Sequence, residues 1–154
     1  MDSTAPGLNG GVTIEEKAFN QSLHDVKELF RRDPEEEWLG FSLDVKSAHK
    51  RVKHNPHEHG ILLFRVAGRV FFYNVCHFGG RVSAYGWSRV GALLIRILHQ
   101  TLFVKHGGWL FVDDFLFGFP GTAAPALATL TSLMLIAMGC PISWHKVAFG
   151  SEIT

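Results

Sequence analysis

The sequence predicts an α+β fold, an antiparallel sheet with helices packed on one face. Three observations predict it. β-rich runs and helical stretches follow one another as β-α-β-β-α-β-β-α-β behind one leading helix, a mixture that favours an antiparallel sheet. Pairs of apolar runs are separated by two-residue turn signals, Ala67-Gly68 and Asp113-Asp114, as in hairpins. A chain of 154 residues with 47% hydrophobic content is also long enough to bury the core of one domain.

Taken in order, residues 1–21 carry Pro6, Gly7, Gly10 and Gly11 without periodicity and read as loop. A helix is expected at about 23–32, with Ser22 as N-cap, Asp25 three residues on, and Pro34 closing it. "LGFSLDV" (39–45) reads as a strand with an acid near its C-terminal end, and "KSAHKRV" as a short helix or turn. "HNPHEHG" (54–60) reads as loop, and the hairpin around Ala67-Gly68 follows. A long helix is expected from Ser83 to about His106, with Gly107-Gly108 at its C-cap. After the strand–turn–strand at Asp113-Asp114, Gly118 to Gly121 reads as a turn. A last helix over about 122–138 stops at Gly139 and Pro141.

Composition excludes more than it assigns. The net charge of +1 gives no overall bias toward nucleic acid or membrane. Lys46, Lys50, Arg51 and Lys53 form a local basic cluster, which reads first as a solvated helix face. The two cysteines, Cys76 and Cys140, provide neither a disulfide framework nor a four-cysteine zinc site, and fit reduced thiols inside a cell, in cytoplasm or nucleus. No targeting signal is evident at the N-terminus. The apolar stretches 90–104 and 122–138 read as buried helices, because the first contains Arg96, His99 and Gln100 and the second Pro125 and several Thr. No membrane partner is expected.

"WLFVDDFLF" (109–117) sets two acids inside an apolar run. Burying unpaired carboxylates side by side costs several kcal/mol or more. Asp44 ends another apolar strand and would meet Asp113 and Asp114 if the two strands pair. Three converging carboxylates need cations, and hard oxygen ligands suit Mg²⁺. Two such ions about 4 Å apart serve phosphoryl transfer by activating one oxygen and stabilising another. A solvated hairpin turn, where Asp is common, is the other reading of the same residues.

Four stretches taken together carry a family resemblance: "FSLDVKSAHKRV", "VCHFGGRVSAYGWSRV", "WLFVDDFLF" and "GCPISWHKVAFG". In this order they resemble the palm motifs of reverse transcriptases, most of all those of long-terminal-repeat and DIRS-like retroelements. Asp44 and Ala48 match the first motif, Phe78-Gly79 with Ser83-Ala84 the second, Phe111-Val112-Asp113-Asp114 the third, and Gly139 with Lys146 the fourth. "DSTAPGLN" and "SLHDVKELF" resemble the fingers segment, so residues 1–36 would be partial fingers and 37–154 the palm.

The resemblance implies an RNA-directed DNA polymerase domain of a retrotransposon that acts on an RNA or DNA template with primer and on dNTPs. Asp44, Asp113 and Asp114, with the Val45 carbonyl, would hold two Mg²⁺ ions, or Mn²⁺ in their place. Phe78 and Gly79 would pack under nucleotide and template, and Lys146 would donate to the departing pyrophosphate. His49 departs from the pattern. The family has Tyr or Phe there, a flat ring that excludes a 2′-hydroxyl. The fingers arginine, primer grip and thumb are expected outside these 154 residues, in a longer chain or element. Two alternatives remain at this stage: a decayed, inactive retroelement fragment, and a metal-dependent phosphohydrolase or nucleotidyl cyclase on a similar sheet.

His54, His57 and His59 cluster without a carboxylate or cysteine at ligand spacing, and read as a solvated loop before zinc. Trp87, Trp109 and Trp144 are expected in the core.

Overall fold

Phe115, Phe117 and Phe119 recur at every second position, so on a strand they share one face. In the computed structural model, which describes residues 8–16, 21–61 and 63–152, that strand is β5 (Asp114–Pro120). The other strands are β1 (Trp38–Asp44), β2 (Leu63–Val66), β3 (Arg69–Phe72), β4 (Gly107–Phe111) and β6 (Ala148–Gly150). A four-stranded antiparallel sheet runs β4-β5-β1-β6, and β2 and β3 form a separate hairpin. The helices are α1 (Leu23–Arg32), α2 (Arg81–Thr101) and α3 (Ala124–Ala137), so the α+β class with its antiparallel sheet holds. None of the described helices is long and apolar enough to cross a membrane. The stretch 1–7, with most of "DSTAPGLN", and residues 17–20 of the expected N-terminal loop lie outside the described residues.

Two compact units divide the chain. One takes in Met1–Ala18 and Ser47–Arg89, the other Phe19–Lys46 and Val90–Thr154. The core of the second unit is a ladder of phenylalanines. The rings of Phe117 and Phe119 stack at 5.5 Å, Phe115 and Phe117 at 6.2 Å, and Phe41 on β1 lies 6.3 Å from both Phe117 and Phe119. All four are buried. Burying one such side chain stabilises by about 1.5–3 kcal/mol, and each ring pair adds about 0.5–1.5 kcal/mol.

The helix ends follow their local chemistry. At α1 the Ser22 backbone N–H and hydroxyl donate to Asp25 at 2.6 and 2.9 Å, and these bonds hold the Asp25 carboxyl below the usual carboxylate range. α3 stops because Gly139 takes φ +81°, a left-handed conformation that suits glycine. Its N–H then reaches the Ile136 carbonyl and that of Cys140 the Leu135 carbonyl, both at 2.9 Å, a Schellman closure.

Two glycine readings change. Gly107 and Gly108 do not cap α2, which ends at Thr101; they open β4. A Cβ at Gly107 would strike the Trp109 ring and Leu29, and one at Gly108 would lie 3.0 Å from the Phe117 ring. Gly118 is likewise not a turn residue. It sits inside β5 opposite Gly40 and Gly107, where a Cβ would lie 3.1 Å from Leu29 of α1, and the chain turns only at 121–123. Both glycines make room for α1 rather than bending the backbone. His54 is another change, since it is buried at the edge of a 3₁₀ turn (Pro56–Ile61) rather than in a solvated loop. Trp87 is buried as expected, but Trp144 is 62% exposed.

In the first unit, Ala67 and Gly68 both have positive φ, +48° and +76°, as a type I′ hairpin turn requires. His54 and His77 are buried side chains of this unit. Burial pushes the His54 imidazole below its ordinary value, with Glu58 opposing and His59 adding to the fall; burial and then the His54 charge do the same to His77.

Gly107→Ala should lower unfolding stability by about 1–3 kcal/mol, the usual result of overpacking, read from urea midpoints. A second outcome concerns pH. Histidines held below their ordinary value leave the unfolded chain binding more protons, so stability is intact above about pH 6.5 and falls below it. Urea midpoints should therefore drop between pH 7.5 and pH 5.5, and His54→Gln should shrink that drop; an equal drop in the variant would contradict the assignment.

Candidate active site

Antiparallel pairing dictates the geometry of the acids. β4 and β5 join through Val112 and Asp113, with Phe111 opposite Asp114. β1 pairs β5 so that Asp44 lies opposite Asp114, and directly opposed residues share a sheet face. By alternation that face is the one away from the phenylalanine ladder. The Val45 N–H donates to the Asp113 carbonyl at 3.2 Å, which ties the hairpin tip to the end of β1. Val112 adopts φ +59°. Only the first loop residue has positive φ, the pattern of a II′ turn, which normally takes glycine there. A β-branched residue in that region is strained, and such strain concentrates at functional sites.

Asp44 is only 6% exposed, and both of its carboxylate oxygens are engaged. The Ser143 hydroxyl donates to Oδ1 at 2.7 Å, and the Lys146 Nζ to Oδ2 at 2.6 Å. The segment that brings them is fixed by backbone. After the Gly139 closure, Lys46 N–H donates to the Pro141 carbonyl at 2.8 Å and Ser143 N–H to the Asp44 carbonyl at 2.9 Å. Val45 bridges Ile142, and a 3₁₀ turn (Trp144–Lys146) then directs the lysine back to the acid.

The electrostatics split the carboxylates. Burial acts to raise Asp44, but the hydrogen bonds from Lys146 and Ser143 outweigh it and hold the carboxyl below the usual range. Asp114 moves the other way, raised first by burial and then by the charges of Asp113 and Asp44. The Lys146 ammonium is pushed up by its hydrogen bond to Asp44 and by that charge. One acid is thus held ionised while its neighbour holds a proton more readily.

Among the described residues, no group of three His, Cys, Asp or Glu side chains is arranged to hold a metal ion. The donor chemistry of Asp44, Asp113 and Asp114 is nonetheless that of a hard divalent cation, all oxygen and mutually repelling. In this structure the Lys146 ammonium supplies the positive charge at Asp44.

The expected site residues fall in both units. Asp44, Val45, Asp113, Asp114 and Lys146 belong to the second, with Val45 fully buried. His49, Phe78 and Gly79 belong to the first, where the Phe78 ring is 81% exposed and 5.8 Å from the His49 ring, and Gly79 takes φ +85°. Sequence reasoning missed Ser143. Its only signal was a hydroxyl in a short apolar run three residues before Lys146.

No protein-family model matches the chain, and no curated protein matches it. Solved structures do. A prototype foamy virus protease-reverse transcriptase is similar over 93% of this chain, with a TM-score of 0.73 and 13% identity. A foamy viral protease-reverse transcriptase solved in complex with double-stranded DNA is similar over 93%, with a TM-score of 0.70 and 16% identity. A Candida tropicalis telomerase is similar over 85%, with a TM-score of 0.51 and 12% identity. The chain spans 18%, 23% and 35% of the length of those three proteins. The fold is therefore of reverse-transcriptase type.

Val112→Gly should raise stability by about 1 kcal/mol by removing a β-branched residue strained at positive φ, measured by chemical denaturation; no gain would mean the turn is relaxed. Lys146→Met should move the Asp44 titration upward, followed by carboxyl-carbon NMR. Because Asp44 is held low, its stabilising contribution is present above about pH 3.9 and lost as pH falls further. The variant should lose that acid dependence.

Proposed function

We propose that this chain is the polymerase-domain portion of a retroelement reverse transcriptase, adding deoxynucleotides to a primer 3′-hydroxyl on an RNA or DNA template. The observation that carries the reading is Asp44 paired across β1 and β5 with Asp114, beside Asp113 at a hairpin tip. Such convergence has a chemical use in phosphoryl transfer, and the fold is shared with proteins named reverse transcriptases, one of them solved with DNA.

In this reading Asp44 and Asp113 hold two Mg²⁺ ions, with Asp114 and the Val45 carbonyl contributing. The ions supply acidity to the primer hydroxyl and neutralise phosphate charge when bound. Ser143 keeps the Asp44 carboxylate oriented through Oδ1. Lys146 carries a firmly held proton at Nζ beside the site, suited to meeting the charge of a leaving pyrophosphate. Phe78 and His49 present rings against base or sugar. An imidazole in place of the family's larger flat ring offers hydrogen bonding to a 2′-hydroxyl, so weak discrimination against ribonucleotides is expected.

Primer extension with Mg²⁺ or Mn²⁺ tests the reading. The chain, or the longer protein that contains it, should extend a primer with dNTPs, and Asp44→Asn and Asp113→Asn should each lower the rate by about 10²-fold or more, as for loss of an electrostatic element of a site. Equal extension by wild type and Asp113→Asn would sink the assignment. So would no extension by the longer protein.

A further inference from the structure

The turn that carries Phe78 and Gly79 is pinned from a distant part of the chain. Asn9, on a short 3₁₀ turn (Leu8–Gly11), donates from Nδ2 to the Gly79 carbonyl at 2.8 Å. The Arg81 N–H donates to Asn9 Oδ1 at 3.0 Å. Arg81 is the first residue of α2, so its N–H is one of the donors that a helix start leaves without an intrahelical acceptor. One carboxamide therefore caps α2 and holds the preceding carbonyl at the same time. The two partners also fix its orientation, since a carbonyl demands the NH₂ and an N–H demands the oxygen.

Asn9 is itself held in place. The chain that follows it runs beside three successive turns of α2, Arg81, Tyr85 and Arg89, which share a face by their i, i+4, i+8 spacing. The Arg81 guanidinium donates to the Val12 carbonyl at 3.4 Å. Glu16 accepts from the Tyr85 hydroxyl at 3.0 Å and from the Arg89 guanidinium at 2.7 Å. From the interior, the buried Ser83 hydroxyl accepts the His77 N–H at 3.1 Å. The turn is thus fastened on two sides while the Phe78 ring at its apex stays 81% exposed. The ring is held out in water from a turn that its neighbours fix, so it is available to stack without first being ordered.

We infer that Asn9 is the positioning residue of the Phe78–Gly79 turn, fixing the Phe78 ring for stacking against a nucleic-acid base. The ligand rests on the polymerase reading; the positioning does not. Asn9→Ala removes both bonds. Asn9→Asp keeps an acceptor for Arg81 but cannot donate to Gly79, so it separates the cap from the carbonyl clamp.

Two measurements on the full chain decide it. Amide hydrogen exchange at Arg81 should accelerate about tenfold in Asn9→Ala and stay near wild type in Asn9→Asp. Unchanged exchange in Asn9→Ala overturns the positioning role, whatever the chain binds. Binding of a fluorescein-labelled single-stranded oligothymidylate, read by anisotropy, should weaken about five- to tenfold in Phe78→Ala and in both Asn9 variants. The Asn9→Ala/Phe78→Ala double variant should lose no more than Phe78→Ala alone, because the two residues would act through one contact. Additive losses, or full binding by Asn9→Ala beside weakened Phe78→Ala, overturn the proposal. If wild type and Phe78→Ala bind equally, or neither binds, the nucleic-acid ligand fails and the exchange result alone decides the positioning.

Discussion

The ion pair between Lys146 and Asp44, completed on the other carboxylate oxygen by Ser143, is what allows an acid to end β1 at all. Asp44 is almost fully covered, and a covered carboxylate without partners would take up a proton or disrupt the strand. An exposed ion pair contributes little to stability, because water screens it and the side chains lose freedom. This pair is mixed in character: the acid is inside and the ammonium is at the surface. Its effect is less to stabilise the fold than to keep one carboxylate charged beside two others. Asp114 moves the other way, raised by burial first, then by the Asp113 charge, with the charge that Lys146 protects at Asp44 adding to the rise.

That arrangement needs strands that do not yield. Phenylalanines stacked at about 6 Å spacing fill one face of β5 and leave little freedom to shift register. A slip of one residue would turn the acids to the ladder side and the rings to the other. Register also sustains the strained Val112, because pairing on both sides of the two-residue loop overdetermines it. Glycines contribute from the opposite face. Gly107 and Gly118 let Leu29 of α1 approach the sheet where any Cβ would collide.

Much of this was legible in the amino acids. The Ala67-Gly68 hairpin signal and the paired acids report local constraints that survive into the fold, although the turn expected at Asp113-Asp114 falls one residue earlier, at Val112-Asp113, because Asp114 pairs with Phe111 and Asp44 as the first residue of β5. The ends of α2 and β5 differ from expectation because glycine in sequence signals backbone freedom, whereas Gly107 and Gly118 make room for Leu29 of the distant α1, and Gly108 for the Phe117 ring across the hairpin. Ser143 and Asn9 were hidden for a similar reason. Their meaning lies in partners 99 and 72 residues away, Asp44 and Arg81, and no local pattern encodes a partner at that range. Trp144 is expected in the core as a residue of a regular helix or strand, but it stands on the short 3₁₀ turn that delivers Lys146 to Asp44 and is 62% exposed.

The two partners of Asp44 are unequal in a way that bears on use. Ser143 is 7% exposed and its backbone N–H is also bonded to Asp44, so it cannot leave without dismantling the end of β1. The Lys146 side chain is 54% exposed and can swing into water, where an ammonium is well solvated. Oδ1 is therefore held by the buried partner, and Oδ2 by the one at the surface. In the reading proposed above, this asymmetry would let the acid stay aligned through Ser143 at Oδ1 while the cation beside Oδ2 changes.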